Sequence, residues 1–147
     1  MSTENLSDYN VLNQRSAVVS RRQQYSDLDL SLIPHPNKKD IIPLTDIDAV
    51  KNSVRNLILT SPYERLFRPE IGCKIKSLLF ENATHNTQFL LKTYIEEVIF
   101  NYEPRVNGIY IDVQDDLDNN AYYITVTFNV INVSTTADVK LYLERIR

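Results

Sequence analysis

The sequence predicts an α+β domain. Three observations carry this: two long stretches repeat apolar residues at helical spacing, three later stretches alternate them with a period of two, and all the helical patterns precede the strand patterns. The expected architecture is two main helices plus a short helix packed on a three-stranded antiparallel β-meander, with an N-terminal arm ahead of them.

The first helix is "TDIDAVKNSVRNLILT", residues 45–60. Val50, Val54, Leu57 and Ile58 fall on one face, Thr45 or Asp46 stands where a cap belongs, and Asp46 and Asp48 suit the positive end of the helix dipole. "SPYERLFRPEIG" (61–72) reads as irregular, because each proline biases the residue before it toward extended backbone and Gly72 permits a turn. "CKIKSLLFEN" restores a short helical pattern through Ile75, Leu78 and Leu79. The longest helix begins between Thr84 and Thr87, where several side chains can cap it. It runs to Tyr102 with a broad stripe of Leu90, Leu91, Tyr94, Ile95, Val98, Ile99 and Tyr102. Pro104 stops it, having no N–H to continue the ladder.

The period then changes to two. Ile109, Ile111 and Val113 share one face, as do Ile124, Val126, Phe128 and Val130, and then Val139, Leu141 and Leu143. The linkers "QDDLDNNA" and "NVSTTAD" are rich in turn formers, which predicts hairpins rather than crossovers. Ahead of the helices, residues 1–24 show no periodicity and read as a flexible polar arm, and 25–147 read as a single domain. Between these, Leu28, Leu30 and Leu32 alternate until Pro34 and Pro36 interrupt them. A short extended piece is expected there, with its leucines pinned against the domain.

Composition removes several functions. With only two glycines, Gly72 and Gly108, the chain lacks the clustered glycines of a Walker or Rossmann phosphate cradle. Its net charge of −3 gives no electrostatic reason to bind nucleic acid or an anionic membrane. One cysteine, Cys73, with His35 and His85, makes neither a disulfide nor a metal-ligand set, so no cofactor or metal is expected and Cys73 reads as a small core residue. No apolar run approaches a membrane span and "MSTENLSDYN" has no signal-like pattern, so a soluble protein made in a cytoplasm is expected.

Two catalytic-looking features fail on detail. Asp112, Asp115, Asp116 and Asp118 lack the turn glycine of a calcium loop, and Tyr123 stands where its bidentate glutamate belongs, so they read as a solvated hairpin tip. Glu64, Glu70 and Glu103 are candidates for a glycosidase pair only as any acidic residues are, and each has Arg or Pro neighbours that explain it as an ion-paired loop residue. No catalytic residue is expected. A meander does have two edges open to strand addition, and none of Tyr122 to Asn129 is a charged or proline deterrent.

Glu103 is the anomaly. It follows the longest helix, at an end that favours Lys or Arg, which costs a few tenths of a kcal/mol up to about 1 unless compensated. Arg105, Arg65 or Arg68 could neutralise it locally, or its partner could be another chain.

Taken together, "YSDLD", "HPNKKDI", "AVKNSVRNLILTSPYERLFRPEIGCKIKSLLFEN" and "NYEPRV" followed by a meander resemble the baseplate wedge proteins of contractile-tailed phages, most closely those of T-even-like myoviruses. Relatives of that family occur in type VI secretion baseplates, and an older label for it is "gene twenty-five-like lysozyme". The resemblance runs from about Tyr25 to the C-terminus. It implies a structural, non-enzymatic subunit of the virion tail baseplate, repeated six-fold in a ring around the tail tube. It implies that Glu103, Pro104 and Arg105 dock on a helical core bundle of other wedge proteins. It further implies that terminal arms of sheath protein add strands to the sheet along 122–131 and 139–145, at Tyr123, Thr125, Thr127, Lys140 and Tyr142. On that reading, mutation of Glu103 damages assembly far more than folding.

Overall fold

Two short strands that the sequence periodicity does not separate come first among the described residues. A computed structural model of the protein describes residues 25–30, 32–36, 40–82, 84–131, 133 and 135–145. The predicted arm at 1–24 lies outside the described residues. Strand β1 (Ser26–Leu28) pairs antiparallel with β2 (Pro43–Thr45) as a small separate sheet. The helices follow: α1 (Ile47–Leu59), α2 (Ile75–Leu78) and α3 (His85–Tyr102). Then come β3 (Val106–Asp116), β4 (Ala121–Val130) and β5 (Thr136–Glu144), an antiparallel meander in the order β3-β4-β5. This is the α+β arrangement that the periodicities predict.

The core lies between the helices and one face of the meander. Val50, Val54, Leu57 and Ile58 of α1 and Leu91, Ile95, Val98 and Ile99 of α3 are buried with Ile124, Val126, Phe128 and Val139 of the sheet. Each such side chain contributes about 1.5–3 kcal/mol relative to exposure. Helix α3 packs on β3, and α1 bridges α3 and β5. Cys73 is buried within this core, and burial pushes its thiol up to about 11.

Helix entry differs between the two main helices. Thr84 caps α3, its Oγ1 accepting from the Thr87 amide at 3.2 Å, which satisfies a donor with no intrahelical partner. Asp46 stands at the N-cap of α1 but makes no side-chain cap bond there. Its Oδ1 accepts from the Tyr25 amide at 3.3 Å, while its own amide donates to the Tyr25 carbonyl at 2.9 Å. The expected cap residue therefore clasps the entering chain to the start of α1.

Strand β3 reconciles two apolar faces with a bulge. Asn107 faces Asn129 and Tyr110 faces Thr127, so Gly108 and Ile109 together oppose Phe128. Gly108 takes φ 61, the left-handed conformation that a glycine-type bulge requires. The extra residue lets Val106 and Ile109, three positions apart, both pack against the core.

Two expectations are corrected. Leu28, Leu30 and Leu32 are exposed rather than pinned, and Tyr25 is the residue of that segment that packs on the core. The short β1–β2 pair is held by its backbone pairing and by Asn52 of α1, which donates to Asp27 Oδ2 and to the Leu28 carbonyl, each at 3.3 Å, and it leaves Leu28 outside. Asp115 is not solvated at a hairpin tip: it faces Tyr122 across the ladder, on the inward side, 4.0 Å from the Arg145 guanidinium. The tip proper is 117–120, where Asp116 accepts from the Asn119 amide and side chain and Asn120 takes φ 53.

Candidate functional site

The α3–β3 corner resolves the charge anomaly inside the chain. Glu103 is only 4% exposed. Arg105 reaches back across Pro104, donating from Nε to Oε1 at 2.6 Å and from Nη2 to Oε2 at 2.7 Å. Ser53 of α1 donates its hydroxyl to Oε2 at 2.6 Å. The guanidinium lies 5.4 Å from the centre of the Tyr25 ring, a cation–π distance. Burial pushes the Glu103 carboxyl up, yet the Arg105 hydrogen bonds, the Ser53 hydroxyl and the Arg105 charge outweigh it, so it titrates below the usual carboxylate range. The same hydrogen bonds, against the opposing effect of burial, raise Arg105.

The corner thus joins the entering segment, α1, α3 and β3. Its backbone is tied as well: the Val106 amide donates to the Glu103 carbonyl at 3.2 Å and the Ile131 amide to the Arg105 carbonyl at 2.9 Å. What it leaves outward is exposed Pro104 and the partly exposed edge of Arg105, whose Nη1 makes no bond to Glu103. Burial changes the expectation for Glu103: three bonds inside the fold make its loss a folding defect too. Ser53 and Tyr25 were not singled out as corner residues in the sequence. Ser53 does stand as a small polar residue beside Val50 and Val54, and Tyr25 opens the "YSDLD" motif.

The residues expected to receive strands share one surface but not one edge. Tyr123 opposes Tyr142, with ring centres 4.8 Å apart, Thr125 opposes Lys140, and Thr127 opposes Asp138, all on the face turned away from the helices. Strand β4 is central, paired on both sides, so 122–131 has no free edge and cannot accept a strand through its backbone. The missing charge or proline in Tyr122–Asn129 marks an interior strand, which needs no deterrent. Tyr123, Thr125 and Thr127 therefore present side chains only. Lys140 and Tyr142 lie on β5, which is an edge. Beside it, α1 and β5 enclose a cleft of about 280 Å³ lined by Lys51, Asn52, Arg55, Asp138, Val139 and Lys140. Lys51 and Asp138 stand 3.9 Å apart at its mouth.

Of the three candidate carboxylates, Glu64 and Glu103 are both shifted away from a general acid. Glu64 sits in the 61–72 loop, where the Ser61 amide and the Lys76 ammonium hold it below the usual carboxylate range. Glu103 is lowered as well, whereas a general acid needs a raised pKa.

This combination of a clamped helix-to-strand corner and an open meander edge has recognisable relatives. Residues 45–135 match the family described as baseplate wedge protein gp25. Over 120 residues the chain is 33% identical to the baseplate wedge protein gp25 of Enterobacteria phage T4, an alignment covering 81% of this chain and 90% of the relative. The chain belongs to the gp25 baseplate wedge family. The family region takes in α1, α3, the corner and β3–β4, and ends just before β5. Similar solved folds include a putative tail lysozyme from Geobacter sulfurreducens, 20% identical, with a TM-score of 0.61 over 67% of this chain and 89% of the other. A chain of the anti-feeding prophage baseplate, also 20% identical, gives 0.53 over 84% and 87%. A chain of the type VI secretion system baseplate, 13% identical, gives 0.52 over 65% and 91%. At these identities the three support the gp25-type fold and nothing further.

Proposed function

We propose that this gp25-family chain is a structural wedge subunit of a contractile tail baseplate, located in the virion and working through two surfaces. The corner docks on a helical bundle of other wedge proteins, with Pro104 and Arg105 as the contacting residues and Glu103 as the group that holds Arg105 in place. The free edge of β5 accepts an extended arm of sheath protein, so that the meander becomes the first template of sheath polymerisation. Repetition around the tail tube, six-fold in our reading, supplies avidity that a single strand addition lacks.

The observation that carries this reading is β5 itself: among the described residues it is an edge strand paired only with β4, and its Asp138, Val139 and Lys140 line a cleft beside α1. Its charges, Lys140 and Glu144, point off the apolar face and do not block pairing. The outer face of Tyr123, Thr125, Thr127, Lys140 and Tyr142 then meets the arm's side chains or the neighbouring sheath subunit. The likeness to a putative tail lysozyme, at 20% identity, carries the fold and no activity to this chain, while the family it matches is described as a baseplate wedge protein.

Seeding tests the template. Purified chain added to sheath subunits is expected to nucleate ordered sheath, and Lys140→Pro, which removes an edge N–H, is expected to abolish nucleation while the chain stays folded. Undiminished nucleation by Lys140→Pro would overturn strand addition at β5.

A further inference from the structure

The segment between α1 and α2, "SPYERLFRPEIG", is irregular in sequence yet tightly built. The Ser61 amide donates to Glu64 Oε2 at 2.7 Å and the Glu64 amide returns to the Ser61 carbonyl at 3.2 Å. The Tyr63 amide donates to the Pro69 carbonyl at 2.8 Å and closes the tip. At its base the Cys73 amide donates to the Thr60 carbonyl at 2.8 Å, and the Tyr102 hydroxyl of α3 donates to the Glu70 carbonyl at 3.0 Å. Gly72 packs so close that a Cβ there would lie 2.5 Å from the Ser61 carbonyl carbon. Tyr63 holds φ 67, an unfavourable conformation for an aromatic residue, which persists only where surroundings impose it.

This rigid frame presents apolar side chains to solvent. Leu66 is 93% exposed and Phe67 97%, with Tyr63 beside them at 86%. Leaving large side chains outside forgoes the burial that stabilises the core. Arg65 and Arg68 flank the pair and have no carboxylate partner among the described residues, while the neighbouring Glu64 is matched by Lys76. A preorganised aromatic anchor between two unpaired guanidinium groups has the composition of an interface hot spot.

We propose that the 61–72 loop is a docking plug: Phe67 and Leu66 insert into an apolar pocket on a different protein of the assembly, and carboxylates at the rim of that pocket pair with Arg65 and Arg68. The rim must be acidic because the two guanidinium groups would otherwise be desolvated unpaired. A protein pocket fits better than a lipid surface, since two cations alongside Glu70 give little attraction to anionic lipid. This surface is separate from the corner and from β5.

The test is differential labelling. Cys73 is buried with its thiol pushed up to about 11, so a maleimide reads Phe67→Cys in the full chain almost alone. Labelling is expected to slow at least about tenfold between the isolated chain and purified baseplates, as insertion of an anchor into a dry pocket requires. Recovery of the variant in baseplates reports on the proposed function, and protection at position 67 reports on the plug, so the two can fail separately. A photo-crosslinker replacing Leu66 should capture a segment of another baseplate protein containing apolar and acidic residues. Arg65→Glu combined with Arg68→Glu should cut incorporation roughly tenfold with an unchanged unfolding midpoint. Equal labelling in both states, undiminished incorporation of the charge-reversed chain, crosslinks to a second copy, or Phe67-dependent binding to phosphatidylserine–phosphatidylcholine vesicles would each overturn the proposal.

Discussion

At opposite ends of β3 the fold places a carboxylate, an arginine and a tyrosine together, and it builds the two groups to different tightness. At the corner, Glu103 and Arg105 meet through two bonds of 2.6 and 2.7 Å, with Ser53 adding a third. At the far end, Asp115 and Arg145 approach only to 4.0 Å, and Asp115 Oδ1, Tyr122 OH and Arg145 Nε find no hydrogen-bond partner among the described residues. Both guanidinium groups lie 5.4 Å from a tyrosine ring centre. The difference follows from what each joins. The far cluster closes the end of one sheet, helped by the Arg145 amide donating to the Asn120 carbonyl at 2.9 Å. The corner fixes four segments at once, and this is the geometry that a docking surface needs to keep.

Truncating the carboxylates separates the two most. Glu103→Ala should destabilise the chain by about 3 kcal/mol, because it strands a partly buried guanidinium and the Ser53 hydroxyl, whereas Asp115→Ala should cost about 1 kcal/mol. Urea unfolding measures both, and equal losses would erase the contrast. Ser53→Ala should cost about 1 kcal/mol, and a double-mutant cycle with Arg105→Lys should show coupling through the shared carboxylate.

A smaller effect is its pH dependence. Since the folded Glu103 titrates below its unfolded value, its contribution is complete above the unfolded pKa of about 4.3 and is lost as pH falls through the depressed folded value. The stability gap between the wild-type chain and Glu103→Gln should therefore be constant near neutrality and narrow from about pH 5 downward. A gap that widens in acid would reverse the sign of the argument. Smallest of all, Tyr25→Leu should cost about 0.5–1 kcal/mol, roughly the worth of an exposed cation–π contact.

The elements of the fold were legible because burial periodicity records which face meets the core, as with Leu91, Ile95 and Ile99 on α3 or Ile124, Val126 and Phe128 on β4. Strand order within the sheet was not legible in the same way. Freedom from charge at Tyr122–Asn129 is shared by an unguarded edge and an interior strand, and only pairing on both sides of β4 separates them. At the corner, the sequence exposed the anomaly of Glu103 and offered Arg105 as one answer. Burial of the carboxylate depends on Ser53, which lies 50 positions away in the chain and carries no periodic signal of its own. The leucines of 28–32 misled for the converse reason: the alternation is real, but Leu28, Leu30 and Leu32 fall on the exposed side, while Tyr25, Asp27 and Asp29 take the half-buried one.

The central claim is that β5 is a template edge, and reconstruction of the assembled tail around this chain tests it most directly. The account predicts a strand from another protein paired through backbone hydrogen bonds along 136–144, in the cleft beside α1. A β5 edge facing solvent, or covered by a chain that makes no backbone pairing with it, would contradict the account.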